Sequence, residues 1–553
     1  MLFTHDLSYF RETRTDALGK YEIEGVPQGI YQQGALCLNF EYQELTLILN
    51  SRRAHQDFRL GPETHQGSWI VIGDTSEETF GGTNSGVLLP DGRTMFCHDT
   101  IDPIIFDPLT GDKSFPEQPG QISDSPNGEQ GCHNLTHLVD GRIIYIGGGT
   151  IDANGNFSGG ESALSVVKAF DPQTGVWEVL PPLNEVRWYP GLVRLPEGDL
   201  LVFGGGQQPS QSRTSSCEIY NKFTHTWRPT GSLTARGGFG PAAMLYTGEV
   251  LVSWYPPQIY NPASEQWRNT NNFLQPNRGT NGDRHAGVTG SGRVPIIEDH
   301  PDHSIVILPD GRIAAIGIWG AAMSNPGSMV EIFDPETETW SLGASPPTIR
   351  AHAEVLQLPD KRILVAGGAP QAGAQVFMNE FRYTNAADLY DPETDSWRVM
   401  SPLKNAREYH AITLLLPDGR VLVQAGTGEP GLNPPPSASP EVEAFSPPYL
   451  FRGPRPHIDA ISATHLMRGS TVTITVSFAS AVTSVRLVGI NAITHFRDAG
   501  VQRLLDLPFT QTGSTVVAGI PNDPRLTMAG YYLLFAMVDD VPSKGKIIKV
   551  EHG

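Results

Sequence analysis

Three features are missing from this sequence of 553 residues, and each absence excludes a class of protein. No stretch approaches the ~18 consecutive apolar residues of a membrane-spanning helix. No run of Lys and Arg is present, and 39 basic against 59 acidic residues give a net charge of -20. Because phosphate binding needs clustered basic side chains, this balance argues against a nucleic-acid partner. We therefore expect neither a membrane span nor nucleic-acid binding.

Cysteine is also scarce. The four cysteines are Cys37, Cys97, Cys132 and Cys217. They lie far apart and form neither a CxxC metal pattern nor a disulfide framework, so they do not fix the compartment. The first residues, MLFTHDLSYFRETRTD, show no basic start followed by an apolar core, and no export signal is visible there.

Glycine and proline are abundant, with 59 and 45 residues, and long helical patterns are absent. This combination indicates a β protein with many turns. A short turn phrase recurs, each time followed by an apolar run. It stands at 89–93, 138–142, 195–199, 245–249, 308–312, 358–362 and 416–420, as in LPDGR, LVDGR, LPEGD and LPDKR. A further strand, a turn such as FDPETETW and a Trp complete most units.

The repeat period of roughly 50 residues is typical of propeller blades, whose four strands bury their faces against the next blade. The paired glycines after the second strand, with the later Tyr and Trp, resemble the kelch repeat. We therefore predict an all-β fold built around a seven-bladed kelch-type β-propeller. The segment GSWIVIG at 67–73 is expected to close the ring by joining the last blade.

Two further segments flank the predicted propeller. We assign residues 66–452 to the propeller and 453–553 to a C-terminal Ig-like β-sandwich, because alternating runs such as STVTITVSF and GYYLLFAMV follow Arg455. Residues 1–65 resemble the second half of a carboxypeptidase-regulatory-type β domain. They are expected to form a short partial β domain.

The candidate functional residues precede the innermost strand of each blade, where a propeller directs them at one axial opening. They are Cys132, Tyr189, Phe239, His352 and the adjacent pair Tyr409 and His410. Imidazole nitrogen and phenolate oxygen suit Cu(II), which makes a copper site plausible. His495, in a predicted hairpin loop of the C-terminal sandwich, is the candidate for a second imidazole.

Three motifs now carry a family resemblance: RWYP at 187–190, YHAITLLLPDGRV at 409–421 with the later FSPPYL, and THFRDAGVQR at 494–503. In this order on these repeats, they resemble the copper radical oxidases of the galactose oxidase and glyoxal oxidase family. The resemblance covers about residues 67–553.

The resemblance implies a role for each site residue. One copper ion would be held by Tyr189, Tyr409, His410 and His495. Tyr189 would be joined to Cys132 by a thioether and would carry a radical, which supplies the second one-electron acceptor that alcohol oxidation needs. Tyr409, with an ordinary pKa near 10, would be the axial ligand and the base that takes the substrate proton.

The implied reaction converts a primary alcohol, a sugar or an aldehyde hydrate with O2 into an aldehyde or carboxylic acid and hydrogen peroxide. RWYP slightly favours a small aldehyde, as in glyoxal oxidases. Where galactose oxidase has a tryptophan over the cross-linked tyrosine, this sequence has Gln207. Strand parity predicts that Trp188 faces away from the copper. No convincing counterpart of the galactose-binding arginine is found, although Arg284 and Arg293 are nearby.

Two other classes of function compete with this prediction. A non-catalytic kelch propeller could use the same scaffold as a cell-surface module that binds carbohydrate or protein, and copper content would distinguish it. A propeller hydrolase would need an arginine cluster and acidic pairs at the axial positions, which hold other residues. Copper loading and peroxide release favour an extracellular or cell-surface location over a reducing cytoplasm.

Overall fold

The computed structural model describes a subset of the chain, which is almost entirely β-strand and turn. The described ranges are 66–75, 84–97, 103–117, 130–150, 163–207, 212–235, 240–254, 256–274, 303–317, 330–368, 384–407, 410–426, 439–453, 455–477, 481–494, 497–501 and 503–552, with short strands before residue 50. The early strands Leu2–Phe3 (β1), Phe10–Arg11 (β2), Gly29–Ala35 (β3) and Gln43–Leu49 (β4) form one sheet in the order β2-β1-β3-β4. Within the described ranges, no helix has the length and apolar composition needed to cross a membrane.

The middle of the chain consists of repeated units, which we number 1 to 7. Strand Ser68–Asp74 (β5) precedes them. Unit 1 holds Ser85–Leu88 (β6), Thr94–Cys97 (β7), Ile104–Phe106 (β8) and Lys113–Ser114 (β9). Unit 2 holds Asn134–His137 (β10), Ile143–Ile146 (β11), Val167–Asp171 (β12) and Val176–Leu180 (β13). Unit 3 holds Gly191–Arg194 (β14), Leu200–Phe203 (β15), Gly206–Gln207 (β16), Ser212–Arg213 (β17), Cys217–Asn221 (β18) and Thr226–Thr230 (β19).

The later units follow the same plan. Unit 4 holds Ala242–Met244 (β20), Val250–Val252 (β21), Gln258–Asn261 (β22) and Gln266–Asn269 (β23). Unit 5 holds Ser304–Ile307 (β24), Ile313–Ile316 (β25), Val330–Asp334 (β26) and Thr339–Leu342 (β27). Unit 6 holds Glu354–Gln357 (β28), Ile363–Ala366 (β29), Ala387–Asp391 (β30) and Ser396–Val399 (β31). Unit 7 holds Ala411–Leu415 (β32), Val421–Ala425 (β33) and Glu441–Ser446 (β34).

The first strand of each unit is its inner strand, and these strands contact one another in a closed cycle. Within the described part of the chain the cycle runs β6, β10, β14, β20, β24, β28, β32 and back to β6. The last sheet has the order β32-β33-β34-β5, so the segment 67–73 supplies the closing strand as the sequence predicts. The units are therefore arranged around a common axis, as a propeller requires.

Units 3 to 6 are each tied to the preceding unit through a tryptophan. In units 2 to 6 this Trp lies directly opposite a Phe or Tyr of the neighbouring strand, with ring centroids about 5 Å apart, as in Tyr220 and Trp227 at 5.0 Å. The Trp227 Nε1–H also donates to the Pro181 carbonyl of the preceding unit at 3.0 Å. Trp267, Trp340 and Trp397 make the same kind of bond to earlier units. The repeated Trp of the sequence thus joins neighbouring units.

Buried arginines brace three of the units. Arg187 pairs with Glu218, Arg350 with Asp388 and Arg407 with Glu443, and every one of these side chains is at most 3% exposed. These arginines also donate to backbone carbonyls, as Arg350 does to Val365 at 2.8 Å. Burial lowers the pKa of Arg350 and Arg407, although the adjacent carboxylates oppose that shift. The pairs hold the segment that leads into each inner strand.

The C-terminal region forms a two-sheet β domain after a short 3-10 helix at Pro448–Phe451. Its strands are His457–Ile461 (β35), His465–Met467 (β36), Thr471–Ser477 (β37), Ser484–Gly489 (β38), Ala492–Thr494 (β39), Arg497–Asp498 (β40), Leu504–Leu507 (β41), Phe509–Thr512 (β42), Thr515–Gly519 (β43), Gly530–Val538 (β44), Val541–Pro542 (β45) and Lys546–Glu551 (β46). The two sheets have the orders β35-β37-β43-β42 and β36-β46-β44-β38-β41.

The hairpin β39–β40 leaves this domain and lies against the propeller axis. β39 pairs antiparallel with β6, matching Thr494 with Ser85, and it also contacts the inner strands β10 and β32. The Thr494 hydroxyl donates to the His133 carbonyl at 3.3 Å. The hairpin therefore adds a strand to the inner edge of unit 1 and carries residues 494 and 497 into the axial region.

Asp498 holds the base of this hairpin. Its carboxylate accepts the backbone N–H groups of Gly500 at 2.8 Å and Ala492 at 3.2 Å. The side chain borders a small internal cavity, so some of its surface is open to that space although it lies deep in the molecule. Burial raises the pKa of Asp498 to about 6, and the backbone bonds and Arg194 only partly oppose this.

We expect Arg350→Met to lower the free energy of unfolding by about 3 to 5 kcal/mol, because it leaves the buried Asp388 carboxylate without its partner. The double variant Arg350→Met/Asp388→Leu should recover much of that loss. Arg228→Met, which breaks an exposed pair with Glu265, is the matched control and should change stability by about 1 kcal/mol or less. Denaturant unfolding measures all three. Equal losses for Arg350→Met and Arg228→Met would contradict the bracing role.

The stability of the protein should also depend on pH through Asp498. Its folded pKa lies above the ordinary value of 3.8, so the folded state holds the proton more tightly than the unfolded state. The stability it contributes is present below about pH 4 and is lost as pH rises towards about 6, by on the order of 3 kcal/mol at most. Asp498→Asn removes the titration and keeps an acceptor oxygen. Unfolding curves at pH 4 to 7 should therefore diverge between wild type and variant, whereas parallel curves would refute the assignment.

Candidate active site

One backbone position recurs at the axial end of the inner strands, and we call it the axial position. It lies two residues before the inner-strand residue that pairs with Ile146, Phe203, Ala366 or Gln424 of the second strand. Cys132 in unit 2, Tyr189 in unit 3, His352 in unit 6 and His410 in unit 7 occupy it. All four side chains are buried, and His410 is the most exposed at 9%. The structure therefore gives four of the sequence-predicted residues equivalent places around the axis.

These four residues share an unusual backbone conformation. Their φ angles are 53° for Cys132, 52° for Tyr189, 51° for His352 and 73° for His410, in the left-handed region that side chains rarely adopt. Such a residue costs about 1–3 kcal/mol and persists only where the surrounding structure enforces it, commonly at functional sites. Its recurrence at this repeat position makes the axial opening one of two places where the described units repeat this strain in residues other than glycine; the other is the outer turn, at His225, Glu265, Glu338 and Asp395.

Unit 7 differs from the other units by one residue. A single residue separates Arg187 from Tyr189, and a single residue separates Arg350 from His352, but two residues lie between Arg407 and His410. Because Arg407 and His410 keep their repeat roles, the chain fits an extra residue into the same connection. That extra length accounts for the adjacent Tyr-His pair in the sequence. Tyr409 itself lies outside the described residues.

Cys132 and Tyr189 pack against each other in the core of the site. They form a small apolar cluster, with 1% and 7% of their surfaces exposed. The Tyr189 N–H also donates to the Cys132 carbonyl at 3.3 Å, so neighbouring units meet through these two residues. The two residues of the predicted thioether pair thus lie in one buried cluster.

Trp188 is the aromatic partner of Tyr189, a contact that strand parity does not predict. The two ring centroids are 4.6 Å apart in an edge-to-face arrangement. The alternation rule fails here because it holds for extended backbone, and Tyr189 is in a left-handed conformation. A Cβ at Gly149 or at Gly206 would lie 3.0 Å or 3.3 Å from the indole, so these glycines make room for the ring.

His495 is the remaining predicted ligand, and it lies outside the described residues. Its neighbour Thr494 bonds the carbonyl of His133, which directly follows Cys132. Thr494 also pairs with Arg497 across the tip of the hairpin. The residues on either side of His495 and Phe496 are therefore at the axis, next to the segment that carries Cys132.

The described donors fit a copper ion by type. Tyr189 and His410 occupy equivalent axial positions and offer the phenol oxygen and imidazole nitrogen that Cu(II) accepts. No group of three or more His, Cys, Asp or Glu side chains lies together in the described ranges. Of the predicted copper ligands, only His410 is both one of these four residue types and inside the described ranges. Of the predicted ligands, Tyr189 and His410 are the described ones, and both are of types that copper accepts.

Other sequence-predicted residues have different places. His133 Nε2 shares a hydrogen bond of 3.2 Å with the Ser85 hydroxyl, and its Nδ1 lies 2.7 Å from the Gln130 carbonyl oxygen. Both ring nitrogens are therefore engaged in bonds within the fold, beside Cys132. Gln207 belongs to the hairpin β16–β17 and pairs with Ser212. Phe239, Arg284 and Arg293 lie outside the described residues. By register, the axial position of unit 4 is Gly240.

Sequence analysis missed Trp254 and Arg213. Ser253 and Trp254 stand in unit 4 where units 2, 3 and 6 have paired glycines. This departure from the repeat could have indicated that unit 4 has a special role at the axis. Arg213 lies on β17, and its guanidinium carbon is 5.4 Å from the Trp254 ring. No repeat position marks Arg213, because β16–β17 is an insertion in unit 3 alone among the described units.

Comparisons with known proteins agree with this architecture. A family model described as "Galactose oxidase-like, Early set domain" matches residues 455–550. A galactose oxidase of Gibberella zeae is 23% identical over 480 residues, covering 74% of this chain and 68% of the relative. An aldehyde oxidase of Vitis pseudoreticulata is 24% identical over 460 residues, covering 76% of this chain and 81% of the relative.

A solved structure, described as a fungal alcohol oxidase in complex with copper, shares the fold. Its TM-score is 0.64 at 21% identity, and the match covers 88% of this chain and 100% of that one. The predicted all-β architecture and the family resemblance are both confirmed. With its ring of four-stranded units and a C-terminal region that matches the galactose oxidase-like Early set domain, the chain is similar to the copper radical oxidases of the galactose oxidase and glyoxal oxidase family.

Proposed function

We propose that the protein oxidises a primary alcohol or an aldehyde hydrate with O2, giving an aldehyde or a carboxylic acid and hydrogen peroxide. The observation that carries the proposal is the contact between Cys132 and Tyr189 at equivalent, strained axial positions, with His410 at a third. The substrate loses two electrons and two protons, and O2 takes up both. A small aldehyde hydrate is the favoured substrate class.

In this proposal Tyr189, His410, Tyr409 and His495 would hold one copper ion, which would supply a one-electron acceptor and a Lewis acid for the substrate oxygen. Tyr189 accepts the second electron, and its thioether to Cys132 lowers the cost of oxidation because sulfur delocalises the unpaired electron. Tyr409 takes the hydroxyl proton as general base. Trp188 covers the Tyr189 ring and limits the access of water to it.

The same chemistry favours a location outside the reducing cytoplasm, at the cell surface or in the extracellular space. Small alcohols or aldehydes and O2 are then the partners of the protein. The competing proposal, a propeller that binds carbohydrate or protein without copper, uses the same scaffold and predicts neither metal nor peroxide.

The proposal is tested by loading the purified protein with copper and following peroxide release from galactose, simple primary alcohols and small aldehydes. We expect release from at least one class, and Cys132→Ala should lower kcat/KM about a hundredfold or more, a loss of about 3 kcal/mol in transition-state stabilisation. Cys217→Ala, at a buried cysteine of an outer strand, is the control and should retain activity. Absence of copper binding and of peroxide from the wild type would favour the binding module.

Replacement of Trp188 by Ala should shorten the lifetime of the oxidised enzyme. The change exposes the Tyr189 ring to water and removes its edge-to-face contact, so the unpaired electron is less protected. After mild oxidation of copper-loaded protein, the visible absorption of the radical should decay several-fold faster than in wild type. Trp397→Ala, which alters an outer strand of unit 6, is the matched control. Equal decay in Trp188→Ala and wild type would show that Trp188 has no protective role.

A further inference from the structure

Unit 4 departs from the other units at the axial opening. Its axial position is Gly240, which has no side chain, and Trp254 stands where other units have the second glycine of the pair. A Cβ at Gly240 would lie 3.3 Å from the Trp254 Cβ and 3.5 Å from its Cε3. The buried indole of Trp254 therefore lies beside the axial position of unit 4, next to the unit that carries Tyr189.

Arg213 reaches the same wall from unit 3. Trp188 is bridged to Gly206, and Gly206 pairs with Arg213, so these three residues lie side by side across adjacent strands. Directly opposed residues of antiparallel strands direct their side chains to one face, which puts Arg213 on the Trp188 face. Gly206, between them, carries no side chain, and the Trp188 indole lies where one would be. The half-buried Arg213 extends to Trp254, with its guanidinium carbon 5.4 Å from the ring.

The chemistry of this wall suits an oxygen-rich or anionic group. A guanidinium offers a planar fork of N–H donors that matches a carboxylate, and stacking on an indole pre-organises that fork. The two indoles, Trp188 and Trp254, provide apolar walls for the carbon atoms. The chain as a whole carries a net charge of -20, which repels anions. The positive charge of Arg213 offsets that repulsion at this opening and so favours an anionic ligand over its neutral analogue.

We propose that Arg213 is a substrate-positioning residue that binds the oxygen atoms next to the reacting carbon, and that it gives the enzyme a preference for aldehydes bearing a carboxylate. The inference rests on the proposed oxidase function. Trp254 holds the guanidinium in place through its ring.

The test compares glyoxylate, whose hydrate bears a carboxylate, with the neutral aldehyde methylglyoxal on copper-loaded enzyme. In Arg213→Gln the ratio of kcat/KM for glyoxylate to that for methylglyoxal should fall about tenfold or more, mainly through KM for glyoxylate. Arg213→Lys keeps the charge but not the fork and should restore part of the ratio. Arg228→Gln, on an outer strand, should leave the ratio unchanged. An unchanged ratio in Arg213→Gln, or an equal loss for both substrates, would overturn the inference.

A binding measurement separates this inference from the oxidase proposal. Pyruvate carries the carboxylate but has no oxidisable aldehyde, and its binding to copper-loaded protein is followed by calorimetry. We expect binding that weakens about tenfold in Arg213→Gln. If the wild type releases no peroxide but binds pyruvate through Arg213, the oxidase proposal fails and the anion site stands. If peroxide forms but pyruvate binds wild type and Arg213→Gln with equal affinity, the proposed anion site is wrong.

Discussion

The antiparallel pairing of β34 with β5 is the interaction on which the rest of the molecule depends. It joins a strand from before the first unit to the last one and so completes unit 7, which meets unit 1 through β32 and β6. Each unit buries its faces only against its neighbours, so closure removes the exposed ends that an open row would have. Closure also directs the described axial positions, in units 2, 3, 4, 6 and 7, to one opening. The site is a product of the ring rather than of any single unit.

Inside that ring, strain and burial are offset by local bonds. The left-handed residues at the axis follow buried arginines in units 3, 6 and 7, and those arginines fix the preceding segment through carboxylates and carbonyls. The C-terminal domain contributes the hairpin β39–β40, which pairs with the inner edge of unit 1. Neither the propeller nor the C-terminal domain alone would place Thr494 beside the Cys132 segment. This dependence explains why the proposed ligands are spread from residue 189 to residue 495.

The sequence was sufficient to predict the repeated units, the closing strand and the axial positions of Cys132, Tyr189, His352 and His410, because these follow from turn phrases at constant spacing. The contact of Trp188 with the Tyr189 ring was not predicted, since parity assumes an extended strand and Tyr189 is left-handed. The cation–indole contact of Arg213 and Trp254 was not predictable, because it joins an insertion of unit 3 to a departure in unit 4. Local sequence patterns are enough to predict the repeated units. A contact between two residues that both depart from the repeat can be found only in the three-dimensional structure.

The central claim is that the contact between Cys132 and Tyr189 becomes a covalent bond, and peptide mass spectrometry tests it most directly. Copper-loaded, aerated protein is reduced, alkylated and digested, and the peptides containing these residues are identified. The account predicts one cross-linked species with two hydrogen atoms fewer than the separate peptides, formed only with copper and absent in Cys132→Ala. Recovery of two separate peptides, with Cys132 fully alkylated after copper loading, would contradict the account and favour a propeller that serves only in binding.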